Sequence, residues 1–245
     1  MSEKVRCLAV RQPWAWALVA GAKDIENRSW KTDYRGPIVI QASSAKTLVN
    51  SLTKGAGASL PPMAFEYSAL IGVVDLIDIV PISEELESNP WAWGPHCWRV
   101  GNARRFVEPI PAKGKLNLYA LEPELAECAA AAIATATVVK RDVTAEAWIA
   151  AMLRLDTEER RTVGLLGSYL RLQDGRNALR LAERTVAQIG DADAYIDRAA
   201  AKYYNGDHAS ALEDINQAIA ISPSSERAPI VRGLIQDAMK ARDKA

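Results

Sequence analysis

The pattern of apolar and polar positions divides the chain in two. Up to about residue 124, short apolar runs alternate with turn residues. GPIVIQAS (36–43) and ALIGVVDLIDIV (69–80) have the length and β-branched content of strands, and KLNLYALE (115–122) alternates like another. TKGAGASLPP (53–62) and ESNPWAWGP (87–95), rich in Gly, Pro and Ser, read as loops between them. QPWAWALVAG (12–21) predicts a short helix, with Pro13 suited to its first turn and Gly21 to its stop. This part is predicted as a mixed, strand-rich domain over 1–124.

Beyond it the strand signal fades. CAAAAIATATVV (128–139) carries little information, and residues 125–143 read as a linker or a helix. TAEAWIAAMLRL (144–155) and TEERRTVGLLGSYLRL (157–172) have helical spacing, with Thr157 placed to cap the second. NALRLAERTVAQ (177–188) then returns as SALEDINQAIAI (210–221), 33 residues on. A period of 33–34 residues with two helices per unit is the mark of a helical repeat. In the unit 195–223, Ala199, Ala211 and Ala218 let paired helices approach, Gly206 and Asp207 form the turn, and Pro223 stops the second helix. The earlier unit has Gln173-Asp174 where the turn glycine is expected. This half resembles tetratricopeptide repeats, and residues 144–245 are predicted as an all-α repeat domain. A shallow concave face lined by Tyr195, Arg198, Lys202 and Asn205 suits a protein partner or a second copy of the chain. A plain helical bundle, with Tyr203 and Tyr204 packed between helices, is the alternative.

Composition narrows the function classes. Thirty basic and 30 acidic residues give a formal net charge of zero, which argues against coating long duplexes by charge alone and leaves a compact nucleotide pocket open. No apolar run approaches the ~20 residues of a membrane-spanning helix, and the N-terminus lacks a signal-peptide pattern. Cys7, Cys97 and Cys128 follow no close metal-ligand spacing and read as reduced thiols, so a cytoplasmic protein is expected. With His96 and His208 the only histidines, no metal centre and no cofactor is expected.

The candidate chemistry lies in CLAVRQPWAWALVAGAKDIENRSW (7–30), which holds three of the seven tryptophans. If the chain is extended after Gly21, Glu26, Arg28 and Trp30 share a face. A carboxylate accepts from an exocyclic amine, a guanidinium reaches a phosphate or carbonyl edge, and an indole stacks on a base. Lys23 stands close enough to serve the same cavity. The competing reading is an internal Glu26–Arg28 or Lys23–Glu26 ion pair beside a packed Trp30. Trp14 and Trp16 point about 200° apart on a helix, so one of them belongs to the core. A second cluster, NPWAWGPHCW (89–98), offers Trp93, Trp98 and His96 as a lid over a flat ligand, with His96 as donor or loop cap. The pairs Arg104-Arg105 and Lys113/Lys115 suit backbone phosphates, or a solvated charged face.

These motifs, with YRGPIVIQAS (34–43), LIGVVDLIDIV (70–80) and PIPAKGKLNLYAL (109–121), give the first half a resemblance to the ASCH (activating signal cointegrator homology) domain of the PUA-like superfamily, over about 8–122. The resemblance implies an α+β protein, a PUA-like β-barrel followed by the all-α repeats. It also implies a cleft between barrel and helix that takes RNA or DNA, or a single modified nucleotide. Lys23, Glu26, Arg28 and Trp30 would lie in that cleft, Tyr34, Arg35 and Gly36 at its rim, and Asp75 would project from the central strand. Some small relatives hydrolyse the acyl amide of N4-acylated cytidine with a lysine, a threonine three positions on and a strand glutamate. Here Lys23 fits the lysine, Glu26 stands at the threonine position and the acidic role falls to Asp75. With no hydroxyl at position 26, no acyl-threonine route exists. Three readings follow: a nucleic-acid or modified-nucleoside binder, an amidohydrolase using Lys23, Glu26 and Asp75, and an adaptor that contacts proteins alone.

Overall fold

The computed structural model describes residues 5–47, 49–50, 63–140, 143–155 and 158–242. The loop expected at 53–62 and Thr157, the expected helix cap, lie outside them. The chain folds as α+β, a curled six-stranded sheet with flanking helices and then an all-helical part. It forms two compact units: residues 1–80 with 96–156, and 81–95 with 157–245.

In the first unit the strands are β1 (Arg6–Val10), β2 (Ile25–Arg28), β3 (Gly36–Ala42), β4 (Ala69–Pro81), β5 (His96–Pro111) and β6 (Leu118–Ala120), in the order β2-β5-β4-β3-β1-β6. β1 and β3 run parallel, and β3 and β4 antiparallel with a bulge at Ile40/Gln41. Alternation sends neighbouring residues to opposite faces. Leu8, Ile38, Ile40, Val74 and Trp98 pack against helix α1 (Trp14–Val19). Cys7, Val39, Val73 and Phe106 pack on the other face with helix α2 (Pro123–Thr135). A Cβ at Gly72 would meet Val19 at 2.8 Å and the Arg104 carbonyl still closer, so glycine is what lets α1 lie on the sheet.

The first unit therefore extends past 124. The stretch 128–139, uninformative in sequence, is largely α2, and its alanines fit because Ala129 is fully buried against the sheet. Thr137 exchanges two backbone hydrogen bonds with Arg105. Helix α3 (Val143–Leu155) also belongs here. Edge-on ring contacts run from Trp16 to Phe65 (6.1 Å between centroids) and from Phe65 to Trp148 (4.9 Å).

The second unit holds helices α4 (Glu158–Arg171), α5 (Gly175–Gln188), α6 (Ala192–Tyr204), α7 (His208–Ile221) and α8 (Arg227–Arg242). The 33-residue period is visible in its geometry. Asp174 caps α5 through the Asn177 N–H, and Asp207 caps α7 through the Ser210 N–H. Buried Ala178, Ala182 and Thr185 recur as Ala211, Ile215 and Ala218. The turn before each cap needs one left-handed residue, which is Gly206 (φ 79°) in one hairpin and Gln173 (φ 56°) in the other. A side chain in that conformation carries a steric cost. Gln173→Gly is expected to raise stability by about 0.5–1 kcal/mol in chemical denaturation. A loss of stability instead would mean that the glutamine side chain makes a favourable contact outweighing this strain.

Residues 81–95, the connection between β4 and β5, complete this helical unit. Glu87 accepts from Tyr169 Oη (2.7 Å) and Arg180 Nη2 (2.5 Å). Arg161 donates to the Glu87 and Asn89 carbonyls, and Ser168 Oγ to the Trp93 carbonyl (2.6 Å). The Trp93 ring lies beside Gly164.

Of the residues proposed to line a concave face, Arg198 and Lys202 are instead held by buried Asp214, at 2.6 and 2.8 Å. Asn205 donates to the Gly175 carbonyl at 2.8 Å, and Tyr195 lies under the Arg198 guanidinium. Tyr203 packs edge-on against Tyr204. Among the described residues no helix is long and apolar enough to cross a membrane.

Candidate functional site

The site begins where α1 stops. Gly21 takes φ 70°, and the N–H groups of Ala22 and Lys23 both donate to the Ala17 carbonyl at 3.0 Å. This reversal sends the chain into β2, which pairs antiparallel with the start of β5. Glu26 stands opposite Trp98, and Arg28 opposite His96. Directly opposed residues share a face, so these four side chains lie together.

Lys23 and Glu26 are buried, 5% and 8% exposed, and joined by a 2.6 Å ion pair. Lys23 also donates to the Ile25 carbonyl. Arg28 Nη2 reaches Glu26 Oε1 at 3.1 Å and the Ala9 carbonyl at 3.0 Å. The latter contact links β2, at one edge of the sheet, to β1, beyond the last β6 pair at Leu8–Leu118. Two cations thus share one carboxylate. Both Arg28 contacts use one terminal nitrogen, and among the described residues Nε is enclosed without a partner and Nη1 makes no hydrogen bond. Lys23 and Glu26 form the internal pair, and Arg28, at a half-buried position, is a second cation on the same carboxylate.

Trp30, half-buried beside this cluster, meets Trp98 edge-on at 4.7 Å, and Trp98 Nε1 donates to the Trp30 carbonyl at 3.3 Å. Trp98 is fully buried, so it supports Trp30 and presents no surface of its own. Trp93 belongs to the helical unit, because the hydrogen bonds of the 81–95 segment go to α4 and α5. His96, at the first residue of β5, stays on the site face.

The outer candidates are dispersed. Tyr34 Oη donates to the Pro37 carbonyl at 2.7 Å and its ring lies beneath Arg6. Arg35 is exposed and pairs with Asp78 at 3.2 Å. Lys115 pairs with Glu122 at 2.6 Å, and Lys113 is exposed. Arg105 is paired with Glu66.

Asp75 accepts from Asn102 at 2.8 Å, in an open cleft of about 480 Å³ lined by Ala20, Gly21, Asp75, Asn102, Ala103, Arg104 and Val138. Neither Lys23 nor Glu26 lines that cleft. The three residues of the amidohydrolase constellation are thus divided: Lys23 is paired with Glu26, while Asp75 stands in that cleft with Oδ2 on Asn102 and, among the described residues, Oδ1 enclosed without a partner. Among the described residues no cluster of His, Cys, Asp and Glu is placed to hold a metal ion.

A curled mixed sheet carrying α1 on one face and α2 on the other, with a short charged strand after α1, defines the class. The pattern of the ASCH domain matches residues 8–159, and the chain belongs to that family. The match takes in α2 and α3, beyond the 8–122 expected from the motifs. Activating signal cointegrator 1 from Homo sapiens is 30% identical over 132 residues, covering 49% of this chain and 22% of that protein. The Mus musculus protein of the same name is 28% identical over 138 residues, with the same coverages. The chain spans about a fifth of the length of these relatives.

Sequence reasoning missed the Ala9 carbonyl, a backbone acceptor that no residue type announces. It also missed Asn102, whose φ of 48° turns its amide toward Asp75. Asparagine within a Gly-Asn step was the one available signal.

Proposed function

We propose that the β2 face of the first unit binds nucleic acid, a strand or a modified nucleotide of RNA or DNA, without turnover. One observation carries this reading: buried Glu26 is shared by Lys23 and Arg28, leaving an open guanidinium nitrogen beside half-exposed Trp30. The guanidinium supplies the contact to a phosphate and the indole supplies a stacking plane. Membership of the ASCH family supports the same reading. The amidohydrolase alternative needs Lys23 and Asp75 in one cavity, and it is not adopted.

The test is binding of short single-stranded oligonucleotides to the wild type, Arg28→Ala and Trp30→Ala, with circular dichroism as the folding control. Trp30→Ala is expected to cost about 1–3 kcal/mol of binding. Arg28→Ala is expected to weaken binding across sequences and to lower the logarithmic salt slope by about 0.7. Unchanged binding in both folded variants would place the contact surface elsewhere and overturn the reading.

We infer for the second unit a tetratricopeptide-like role in binding a protein partner or a second copy of the chain. Its support is the repeated hairpin geometry, with matching caps and left-handed turn residues 33 positions apart.

A further inference from the structure

Arg28 and His96 stand opposite each other at the outer end of β2, and Lys31 follows Arg28 by three positions; Arg28 pairs with Glu26 through Nη2, and among the described residues neither His96 nor Lys31 forms an ion pair. Among the described residues Arg28 Nη1 makes no hydrogen bond. His96, opposite it across the β2–β5 pairing, is half-buried with Nδ1 enclosed and unpaired. Among the described residues its other ring nitrogen, Nε2, has no hydrogen-bond partner. Lys31 is exposed, and its charge bears on the imidazole.

The groups facing His96 are few. From β2 come Arg28 and Glu26, the latter already holding both Lys23 and Arg28. From the segment after β2 comes Lys31. The end of β4, Ile79 to Pro81, has no titratable side chain. Glu26 is the carboxylate on this face, and two cations share it, so among the described residues positive charge is in excess there.

We propose that Arg28, His96 and Lys31 form a site for a tetrahedral oxyanion, with His96 taking up a proton as the anion enters. In the reading above, that anion is a phosphodiester of the bound nucleic acid. Opposed residues on an antiparallel pair stand about 5 Å apart at Cβ, so one phosphate spans both side chains. An open guanidinium nitrogen and a protonated imidazole are charge-assisted donors to its oxygens, and Lys31 adds a third positive charge. Unliganded, the imidazole is biased to its neutral form: burial holds its pKa below the ordinary 6.5, and Lys31 lowers it further. An anion reverses that bias, since it favours the charged ring. Binding and protonation are then linked, and affinity for an anion of fixed charge rises as pH falls, by at most about tenfold per pH unit for one proton.

The chain has two histidines, so NMR titration of both imidazoles in the intact protein tests the site. Sulfate, whose charge is constant through the range, is compared with chloride at equal ionic strength. Sulfate is expected to raise the His96 pKa and leave His208 unchanged, with the shift reduced in Lys31→Ala and in Arg28→Lys. No movement of His96, or equal movement of both histidines, would overturn the site. An oligonucleotide without terminal phosphates forms the second arm. Its affinity is expected to rise toward acid pH in the wild type and to lose that slope in His96→Gln. Oligonucleotide binding that depends on Arg28, with no sulfate effect on His96, would remove the site and keep the nucleic-acid reading. A sulfate effect with no oligonucleotide binding would keep the site and remove that reading.

Discussion

Trp98→Ala is expected to destabilise the first unit by about 3–5 kcal/mol. That is a large part of the roughly 5–15 kcal/mol that holds a domain folded. Trp98 is the largest fully buried side chain, and it packs with Leu8, Ile38, Ile40, Val74 and α1. Its removal leaves a cavity, deletes the edge-on contact with Trp30 and strips the Trp30 carbonyl of its indole donor. Ligand binding is expected to suffer through Trp30, although Trp98 itself faces no ligand. Urea denaturation and near-ultraviolet circular dichroism measure the effect. Trp98→Phe, which restores most of the volume without the N–H, is expected to recover the larger part of the stability. A Trp98→Ala variant as stable as the wild type would contradict the core placement.

Asp214→Ala is expected to cost about 3 kcal/mol or more in the helical unit. It removes the shared counter-ion of Arg198, which donates from Nε and Nη2 at 2.8 and 2.6 Å, and of Lys202 at 2.8 Å. Breaking a buried pair from one side leaves an uncompensated charge, at a cost of about 3–5 kcal/mol. Partial exposure of Arg198 and Lys202, 23% and 15%, moderates this by letting water reach them. Burial alone would raise the Asp214 carboxyl, but the hydrogen bonds from Arg198 and Lys202 outweigh it and hold its pKa below 3.8. A carboxyl depressed in the folded state stabilises fully above its unfolded value and loses that contribution as pH falls through the folded one. The helical unit of the wild type is therefore expected to weaken as pH drops below about 4, and Asp214→Ala to lack that component of its acid sensitivity. Melting followed by circular dichroism across pH separates the two.

The legible parts of this fold were those with a regular period. The apolar runs at 36–43 and 69–80 are β3 and β4, and the repeat spacing located α5 and α7. Strand β5 escaped because its alternation breaks in the middle. Trp98 and Phe106, eight residues apart, would share a face in a regular strand, yet they enter opposite cores. The irregularity at Gly101 and Asn102, with φ 48° at the latter, shifts the phase between them. Composition also misled at 89–98, where Gly, Pro and Trp suggest one loop. The first seven residues belong with the helices, and the last three begin β5. In the site, the two-residue period placed Glu26 and Arg28 on one face with Lys23 near. It gave no indication that Lys23 would be buried, because burial depends on the Ile25 carbonyl and on the β5 strand packed beside it.

The segment 81–95 has a consequence for how the protein is made. Its partners Arg161, Ser168, Tyr169 and Arg180 follow it by 72 to 93 residues. At about 5–20 residues per second, translation leaves the segment waiting on the order of 4–20 s before those partners have been added. Glu87 waits hydrated, as a carboxylate does without penalty, whereas Trp91 waits with an apolar surface that the finished fold buries. The helical unit is thus assembled from an early piece and a late one. A fragment that begins at residue 157 lacks the acceptor for Tyr169 and Arg180, however intact its helices.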